Sequence, residues 1–192
     1  HVTGVQTCAL PILTFNGMTV TINPATEFEP GRSYYVMLPY GAIQDTAGNS
    51  FGGIVNRKSL NFTVVTPAIV VSAPSATSTT EAGGTVTFTV KLNSQPAGNV
   101  TIPISSSNTA EAKVSASSLT FTPSNWDTAQ TVTVTGLDDS IDDGDIAYLA
   151  VIGTATSAGD RWYNGLNPAD ISLKNTDDRS EEHTSELQSR GL

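Results

Sequence analysis

The sequence predicts an all-β fold built around a sandwich of two sheets, and three observations carry that prediction. Thr, Ser, Val, Ala and Gly dominate, and long windows rich in the helix formers Leu, Glu and Lys are missing. Short strand-like runs recur at intervals of about 10 to 20 residues, with Gly, Pro, Asn and Asp between them. Within the longer runs apolar residues alternate with Thr, as expected for strands with one buried and one solvated face.

The first part of the chain, residues 13–67, contains three predicted strands. They are 18–22 (MTVTI), 33–38 (SYYVML) and 59–65 (SLNFTVV), and a turn-rich loop, QDTAGNSFGG, occupies residues 44–53. Three strands cannot close a sandwich. We therefore expect this segment to be the C-terminal half of a β domain.

The second part, residues 68–178, contains seven predicted strands. The longest places Val86, Phe88, Val90 and Leu92 on one face. The seven strands are 68–72, 85–92, 99–105, 119–123, 131–136, 146–153 and 170–175. Seven short strands in a segment of about 110 residues predict an Ig-like or related Greek-key sandwich.

Charge and a proline separate the two parts. Residues 14–67 hold three acidic and three basic residues, whereas residues 68–178 hold twelve acidic and four basic ones, a net charge of −8. Pro67 interrupts two apolar runs and lacks the amide that a sheet ladder needs, which suits a joint between domains. The negative charge also disfavours nucleic acid as a partner.

Both ends of the chain are predicted to be translated sequencing adapter. The segment RSEEHTSELQS (179–189) can be encoded by a common library adapter, and the reverse complement of that coding string, extended by one base, translates as VTGVQTCALPI (2–12). We therefore expect residues 1–12 and 179–192 to be adapter-derived tails rather than parts of the fold.

Without these tails, fewer types of catalytic and metal-binding residue remain in the chain. Cys8, His1 and His183 lie in them, so residues 13–178 contain neither cysteine nor histidine. That excludes thiol nucleophiles, histidine general bases and the usual zinc sites from the segment. It also contains no apolar run near the roughly 18 residues of a transmembrane helix, so we expect no membrane insertion.

Each part resembles a known family. The pattern FEPGRSYYVMLPYGAIQDTAGNSFGG, followed by LNFTV (60–64), resembles bacterial Ig-like domains of the S-layer type. The stretches TTEAGGTVTFTVKL (79–92), LTFTPSNWDTAQTVTVTGLDDSIDDGD (119–145) and ISLKNTDD (171–178) resemble the Calx-β family and its bacterial surface relatives. These resemblances imply a partial Ig-like domain over residues 13–67 and a Calx-β-like sandwich over residues 68–178.

An acidic stretch, GLDDSIDDGD (136–145), is the strongest local feature of the chain, with five carboxylates. Calcium takes six to eight oxygen ligands, which such a loop can supply. The EF-hand template does not fit: counted from Asp139, its third position is Ile141 and its twelfth is Ala150. Any site must therefore draw ligands from separate loops.

The Calx-β resemblance implies which loops these are, and calcium is the candidate cofactor. The implied ligands are Glu81, Asp138, Asp139, Asp142, Asp143, Asp177 and Asp178. A solvated acidic loop without a cation is the alternative interpretation. A catalytic carboxylate pair is disfavoured, because the acids crowd one turn and few aromatic side chains lie near them in the sequence to form a sugar subsite.

Two aromatic features could form a platform for a bound sugar, but a role in packing is the favoured interpretation of both. Trp126 is expected to cap the edge of the sandwich, and Trp162 and Tyr163 are expected to anchor a long connection at residues 160–168.

These observations predict a non-catalytic structural or adhesion module of a large, secreted or cell-surface bacterial protein. Its expected partners are neighbouring domains of the same chain. The alternatives are a module that binds a glycan or host surface, and an accessory domain of an extracellular hydrolase.

Overall fold

The computed structural model describes residues 12–16, 19–24, 26–139, 141 and 143–178, and the predicted tails at 1–11 and 179–192 lie outside them. The chain divides into two compact units, His1–Thr66 and Pro67–Leu192. Every regular element in the described residues is a strand, which confirms the predicted all-β class. No helix long and apolar enough to cross a membrane occurs in the described part.

The first unit contains two antiparallel ribbons. Strand β1 (Ile12–Asn16) pairs with β2 (Thr19–Asn23), and β3 (Ser33–Tyr35) pairs with β4 (Asn61–Thr63). The predicted strands 33–38 and 59–65 are therefore shorter than expected. Strand β1 was not predicted from the sequence, and its first residue falls in the segment assigned to the tail.

The β3–β4 ribbon has two distinct faces. Tyr34 lies opposite Phe62, and both rings contact Phe28, with centroid distances of 4.6 Å from Phe28 to Tyr34 and 5.1 Å from Phe28 to Phe62. Tyr35 lies opposite Asn61. Because successive residues of a strand point to opposite faces, Tyr35 and Asn61 lie on the face away from the aromatic cluster.

The loop between β3 and β4 is closed by one aspartate. The Asp45 carboxylate accepts hydrogen bonds from the amides of Ala47 and Asn49 and from the Asn49 side chain, at 2.7–2.9 Å. These bonds, above all the one from the Asn49 side chain, lower the pKa of Asp45 below its ordinary value. The predicted turn at 44–53 is therefore held by its own polar groups.

The second unit is a sandwich with nine strands in its described residues. They are β5 (Ile69–Val71), β6 (Ser78–Thr80), β7 (Thr85–Leu92), β8 (Val100–Ser106), β9 (Ala112–Val114), β10 (Ser118–Phe121), β11 (Gln130–Gly136), β12 (Ile146–Ile152) and β13 (Ile171–Thr176). One sheet has the order β10-β8-β12-β13-β6 and the other β5-β7-β11-β9.

The core of this unit follows from the alternation seen in the sequence. In β7 the residues Val86, Phe88, Val90 and Leu92 are all buried, while the intervening Thr side chains are at least partly solvated. The inward residues of β8, β11 and β12 follow the same pattern. Each fully buried apolar side chain contributes about 1.5–3 kcal/mol by leaving water, so the alternation also specifies which face turns inward.

Two of the nine strands were not predicted. Strand β6 pairs in parallel with the last strand, β13, and β9 pairs antiparallel with β11. Each has only three residues, too few to display an alternating pattern. Both become strands because neighbouring strands supply their hydrogen-bond partners.

Candidate metal centre

Strand termini from both sheets meet at one end of the second unit. The parallel strands β6 and β13 both end there, since Thr80 pairs with Thr176. Strand β12 begins there because Ile146 pairs with Asn175 in the antiparallel register. Likewise β11 ends where β9 begins. The loops that carry the predicted acidic residues are thereby brought together.

One group of acids comes from the ends of three strands. Glu81 follows β6, Asp138 follows β11 and Asp178 follows β13, and one carboxylate oxygen from each lies within 4.8 Å of the others. Oxygens bound to one Ca²⁺ at about 2.3–2.6 Å can be at most about 5 Å apart. The spacing therefore fits a shared cation.

A second group lies at the same end. Oxygens of Glu111, Asp139 and Asp143 also lie within 4.8 Å of one another. Glu111 is buried, with 5% of its surface exposed, and directly precedes β9. Glu111 was not among the predicted ligands, because β9 was not predicted and nothing in the sequence placed Glu111 at a strand end.

Glu81 is unusual for an acidic side chain because only 4% of its surface is exposed. Its Oε2 atom has no hydrogen-bond partner among the described residues. Burial raises the pKa of Glu81 above its ordinary value, and the charge of Asp177 adds to the shift, followed by those of Asp139 and Asp178. A hydrogen bond from the backbone of Asp178 opposes this shift. The site therefore holds a buried carboxylate whose Oε2 atom has no hydrogen-bond partner among the described residues and whose charged neighbours are other acids.

The acidic loop is tied to the end of β13 by two contacts. The Asp177 carboxylate accepts a hydrogen bond from the amide of Gly144 at 2.9 Å. Asp145 forms an ion pair with Lys174. Asp177 thus lies beside both groups without belonging to either, and its position in the structure is that of a residue that holds the loop.

A buried hydrogen-bond network contacts the second group of acids. The Asn175 side chain donates to Glu111 Oε2 at 3.2 Å and to the carbonyl of Leu137 at 2.9 Å. Its oxygen accepts a hydrogen bond from the Thr79 hydroxyl, which also contacts the Tyr148 hydroxyl, each at 2.9 Å. Asn175 therefore links β6, β13, β12 and the loop after β11.

Gly136 makes this close convergence possible. A Cβ atom at this position would lie 2.3 Å from the Thr80 carbonyl oxygen and 2.5 Å from Asn175 Oδ1. No other residue type fits without displacing the end of β6.

The structure thus brings together most of the predicted ligands, but in two groups. Glu81, Asp138 and Asp178 form one, and Asp139 and Asp143 join the unpredicted Glu111 in the other. Asp142 lies outside the described residues. Metal binding by these residues stays a prediction.

The connection between β12 and β13 is anchored by Tyr163 and Asp160. Tyr163 is fully buried, and its hydroxyl donates to the Ser94 carbonyl at 2.8 Å. The Asp160 carboxylate accepts from the amides of Ala97 and Trp162 at 2.9 and 2.8 Å. Trp162 remains 38% exposed, with the Arg161 guanidinium 4.5 Å from its ring centroid. Trp126, by contrast, packs against the core.

Comparison with known proteins identifies a family match in the first unit. Residues 2–64 match the family described as bacterial Ig-like domain. The matched range includes residues 2–12, and the adapter origin of that tail stays a prediction. No curated protein matches the chain at a significant level.

Three solved structures align with the chain at low similarity. The chain is 12% identical to WR4, an MSP family member of C. elegans (TM-score 0.34, covering 55% of this chain and 95% of that one). It is 15% identical to SSP-19, an MSP-domain protein like family member of Caenorhabditis elegans (TM-score 0.35, covering 53% of this chain and 92% of that one). It is 19% identical to domains 4 and 5 of the S-layer protein SbsC (TM-score 0.41, covering 82% of this chain and 62% of that one).

Proposed function

We propose that the chain is a non-catalytic structural module of a secreted or cell-surface bacterial protein, and that calcium stiffens the acidic end of its second unit. The match of residues 2–64 to bacterial Ig-like domains supports the first part. The resemblance of residues 68–178 to the Calx-β family supports the second. Neighbouring domains of the same protein are its expected partners.

The observation that carries the calcium proposal is the buried carboxylate of Glu81. An isolated buried charge is unfavourable unless it is paired or coordinates a metal. The acids around Glu81 make its environment still more negative. A divalent cation would offset both penalties, and a donor set made of oxygens alone suits a hard cation such as calcium.

The two groups would hold adjacent cations. Glu81, Asp138 and Asp178 would hold one, and Glu111 with Asp139 and Asp143 would hold the other. The cation supplies positive charge and removes the repulsion among the carboxylates. Because the ligands come from the ends of several strands, binding would fix the acidic loop to the sandwich.

Calcium titration of the whole chain tests the proposal. We expect a binding heat and a higher melting temperature, since a ligand at 100 times its Kd stabilises the folded state by about 2.7 kcal/mol. The absence of both at millimolar calcium would contradict the proposal.

A pair of variants separates this site from general charge effects. Glu81→Gln is expected to abolish most of the calcium-dependent rise in melting temperature. Asp127→Asn removes one carboxylate at an exposed position outside both groups and should leave that rise unchanged. Equal responses of the two variants would show that calcium acts on net charge rather than at a site.

Recognition of a glycan is the second candidate function, and the exposed Trp162 favours it. Its loop is held rigid by Tyr163 and Asp160, which would present the indole ring without a large ordering cost. A glycan array with the intact chain tests this. Specific binding that is lost in Trp162→Ala would support glycan recognition, whereas the absence of binding to any glycan on the array favours a purely structural role.

A further inference from the structure

The first unit contains a shallow pocket on the β3–β4 ribbon, which we call the tyrosine pocket. It has a volume of about 360 Å³ and is lined by Ser33, Tyr34, Tyr35, Arg57, Lys58 and Asn61. The face of the ribbon that carries Tyr35 and Asn61 contributes to it. Tyr34 also lines the pocket, although its ring belongs to the aromatic cluster with Phe28 and Phe62.

Positive charge collects at this pocket. Residues 14–67 contain three basic residues. Arg32 forms an ion pair with Glu29. The other two, Arg57 and Lys58, both line the pocket, and within the described part of the chain neither lies in an ion pair. An otherwise acidic protein therefore has one local cationic site in this unit.

Arg57 is oriented before any ligand arrives. Its guanidinium carbon lies 5.0 Å from the centroid of the Tyr35 ring. Contact with an aromatic ring restrains the guanidinium while its N–H groups remain able to donate. Two parallel N–H groups of arginine match the two oxygens of a carboxylate or phosphate.

The turn that carries both cations is also fixed. The amide of Lys58 donates to the Asn56 side chain at 2.8 Å, and the amide of Ser59 donates to the Asn56 carbonyl at 3.1 Å. The Asn61 side chain then donates to the Lys58 carbonyl at 3.0 Å. This last bond ties the turn to β4, so the positive groups keep their place beside the tyrosines.

From these contacts we propose that the tyrosine pocket binds an anionic saccharide. The acidic group of the sugar lies against Arg57 and Lys58, and its carbon face packs beside the Tyr35 ring. Hydroxyls of the sugar meet Ser33 and Asn61. The volume suits one or two rings of a saccharide chain, since small-molecule sites typically begin at about 300 Å³.

The net charge of −9 does not prevent such binding. At physiological ionic strength, charges further away than about 8 Å are largely screened. The two cations in the pocket therefore dominate the local field. The proposal uses no residue of the metal centre and stands apart from the calcium site.

Titration calorimetry on the intact chain tests the pocket with three probes: trigalacturonic acid, glucose 6-phosphate and the neutral maltotriose. We expect trigalacturonate, the sugar phosphate, or both to bind at least about tenfold more tightly than maltotriose, the ratio expected for hydrogen bonds to a charged group. Comparison of the first two probes identifies the acidic group that the pocket accepts. Equal affinities for all three, or no binding of either anion at millimolar concentration, would overturn the proposal.

Three variants locate the binding. Arg57→Gln should lower the affinity for the anionic probe by about tenfold or more. Arg57→Lys keeps the charge but loses the planar fork, so it should also bind more weakly than the wild type. Arg32→Gln removes an equal charge from the same unit outside the pocket and should bind as the wild type does. A loss of affinity in Arg32→Gln as large as that in Arg57→Gln would show attraction to overall charge and overturn the proposal. Unchanged melting curves confirm that each variant is folded.

Discussion

Glu81 illustrates how a single residue can oppose stability in one state and support it in another. Without a cation, its buried carboxylate lies among other acids, and its pKa is raised above the ordinary value of 4.5. With a cation bound, the same charge would become a ligand. Under the calcium proposal, the charge state of Glu81 would link pH, calcium and the stability of the fold.

The first prediction concerns the pH dependence of stability without calcium. Because the folded chain holds the Glu81 proton more tightly than the unfolded chain, the stability that this proton provides is present at low pH. It is lost as pH rises through the raised pKa. In the presence of a chelator, Glu81→Gln should therefore melt at a higher temperature than the wild type at pH 7. The difference should narrow on acidification.

Calcium should reverse the order of these two proteins at pH 7. Thermal unfolding of both in chelator and in millimolar calcium measures the effect. A variant that melts below the wild type in chelator would contradict the expectation that the buried charge of Glu81 opposes stability without a cation.

The second prediction concerns Asn175, whose side chain is almost fully buried. Asn175→Ala leaves the Leu137 carbonyl and the Thr79 hydroxyl without this partner. We expect a loss of about 1–3 kcal/mol in the free energy of unfolding, the usual cost of unsatisfied buried polar groups. Ser172→Ala on the same strand, at an exposed position, should change it by less than about 0.5 kcal/mol. Denaturant unfolding measures both, and equal effects would contradict a special role for the network.

At the scale of single residues, the sequence predicted much of the candidate site but not Glu111. Glu81, Asp138 and Asp178 adjoin strand ends that the resemblance to Calx-β placed together. Glu111 precedes a strand of three residues that lacks a recognisable pattern. Its burial and its proximity to Asp139 depend on the pairing of β9 with β11, which is a long-range property.

At the scale of elements, long alternating strands were predictable and short ones were not. Strand β7 occupies the predicted residues 85–92 because every second side chain is apolar. Strands β6 and β9 form where neighbouring strands provide hydrogen-bond partners, so their own sequence has little influence. Strands β3 and β4 end earlier than their apolar runs suggested.

The third prediction concerns the close approach of β11 to β6. In Gly136→Ala the new methyl group would collide with the Thr80 carbonyl, which belongs to the backbone and cannot rotate away. We expect the free energy of unfolding to fall by about 1–3 kcal/mol, as for other overpacked sites. The calcium response should also weaken, because Glu81 directly follows Thr80.

Gly52→Ala is the matched control for this variant. No atom lies within 4 Å of the position where its Cβ would be, and its backbone does not require glycine. Its melting temperature should stay close to that of the wild type. An unaffected Gly136→Ala would show that the end of β6 can shift without cost.

At the scale of the whole chain, the two units differ in how much they bury. All fully buried apolar side chains of the described residues belong to the second unit, between Val86 and Leu173. The first unit relies on two short ribbons and an aromatic cluster whose Phe28 and Phe62 remain more than a third exposed. Small units with little buried surface open more readily than well-packed ones.

The fourth prediction follows from this difference. Limited proteolysis of the intact chain should cut the first unit early and leave a resistant fragment that contains residues 68–176. Mass spectrometry of the time course would identify the fragment. Early cleavage within β7 to β12 would contradict the expected order of stability.

The parallel pairing of β6 with β13 determines how the second unit resists a pulling force. The chain enters the pair at Ser78 and leaves it at Thr176, so opposed pulling forces act along the two strands in shear. Their hydrogen bonds then share the force and must break together, whereas an unzipping geometry would break them one at a time. Pulling single molecules in chelator and in calcium should therefore give a higher rupture force with calcium, since Glu81 and Asp178 would join the same two strands through the ion. Equal rupture forces would mean that the acidic end does not reinforce this pair.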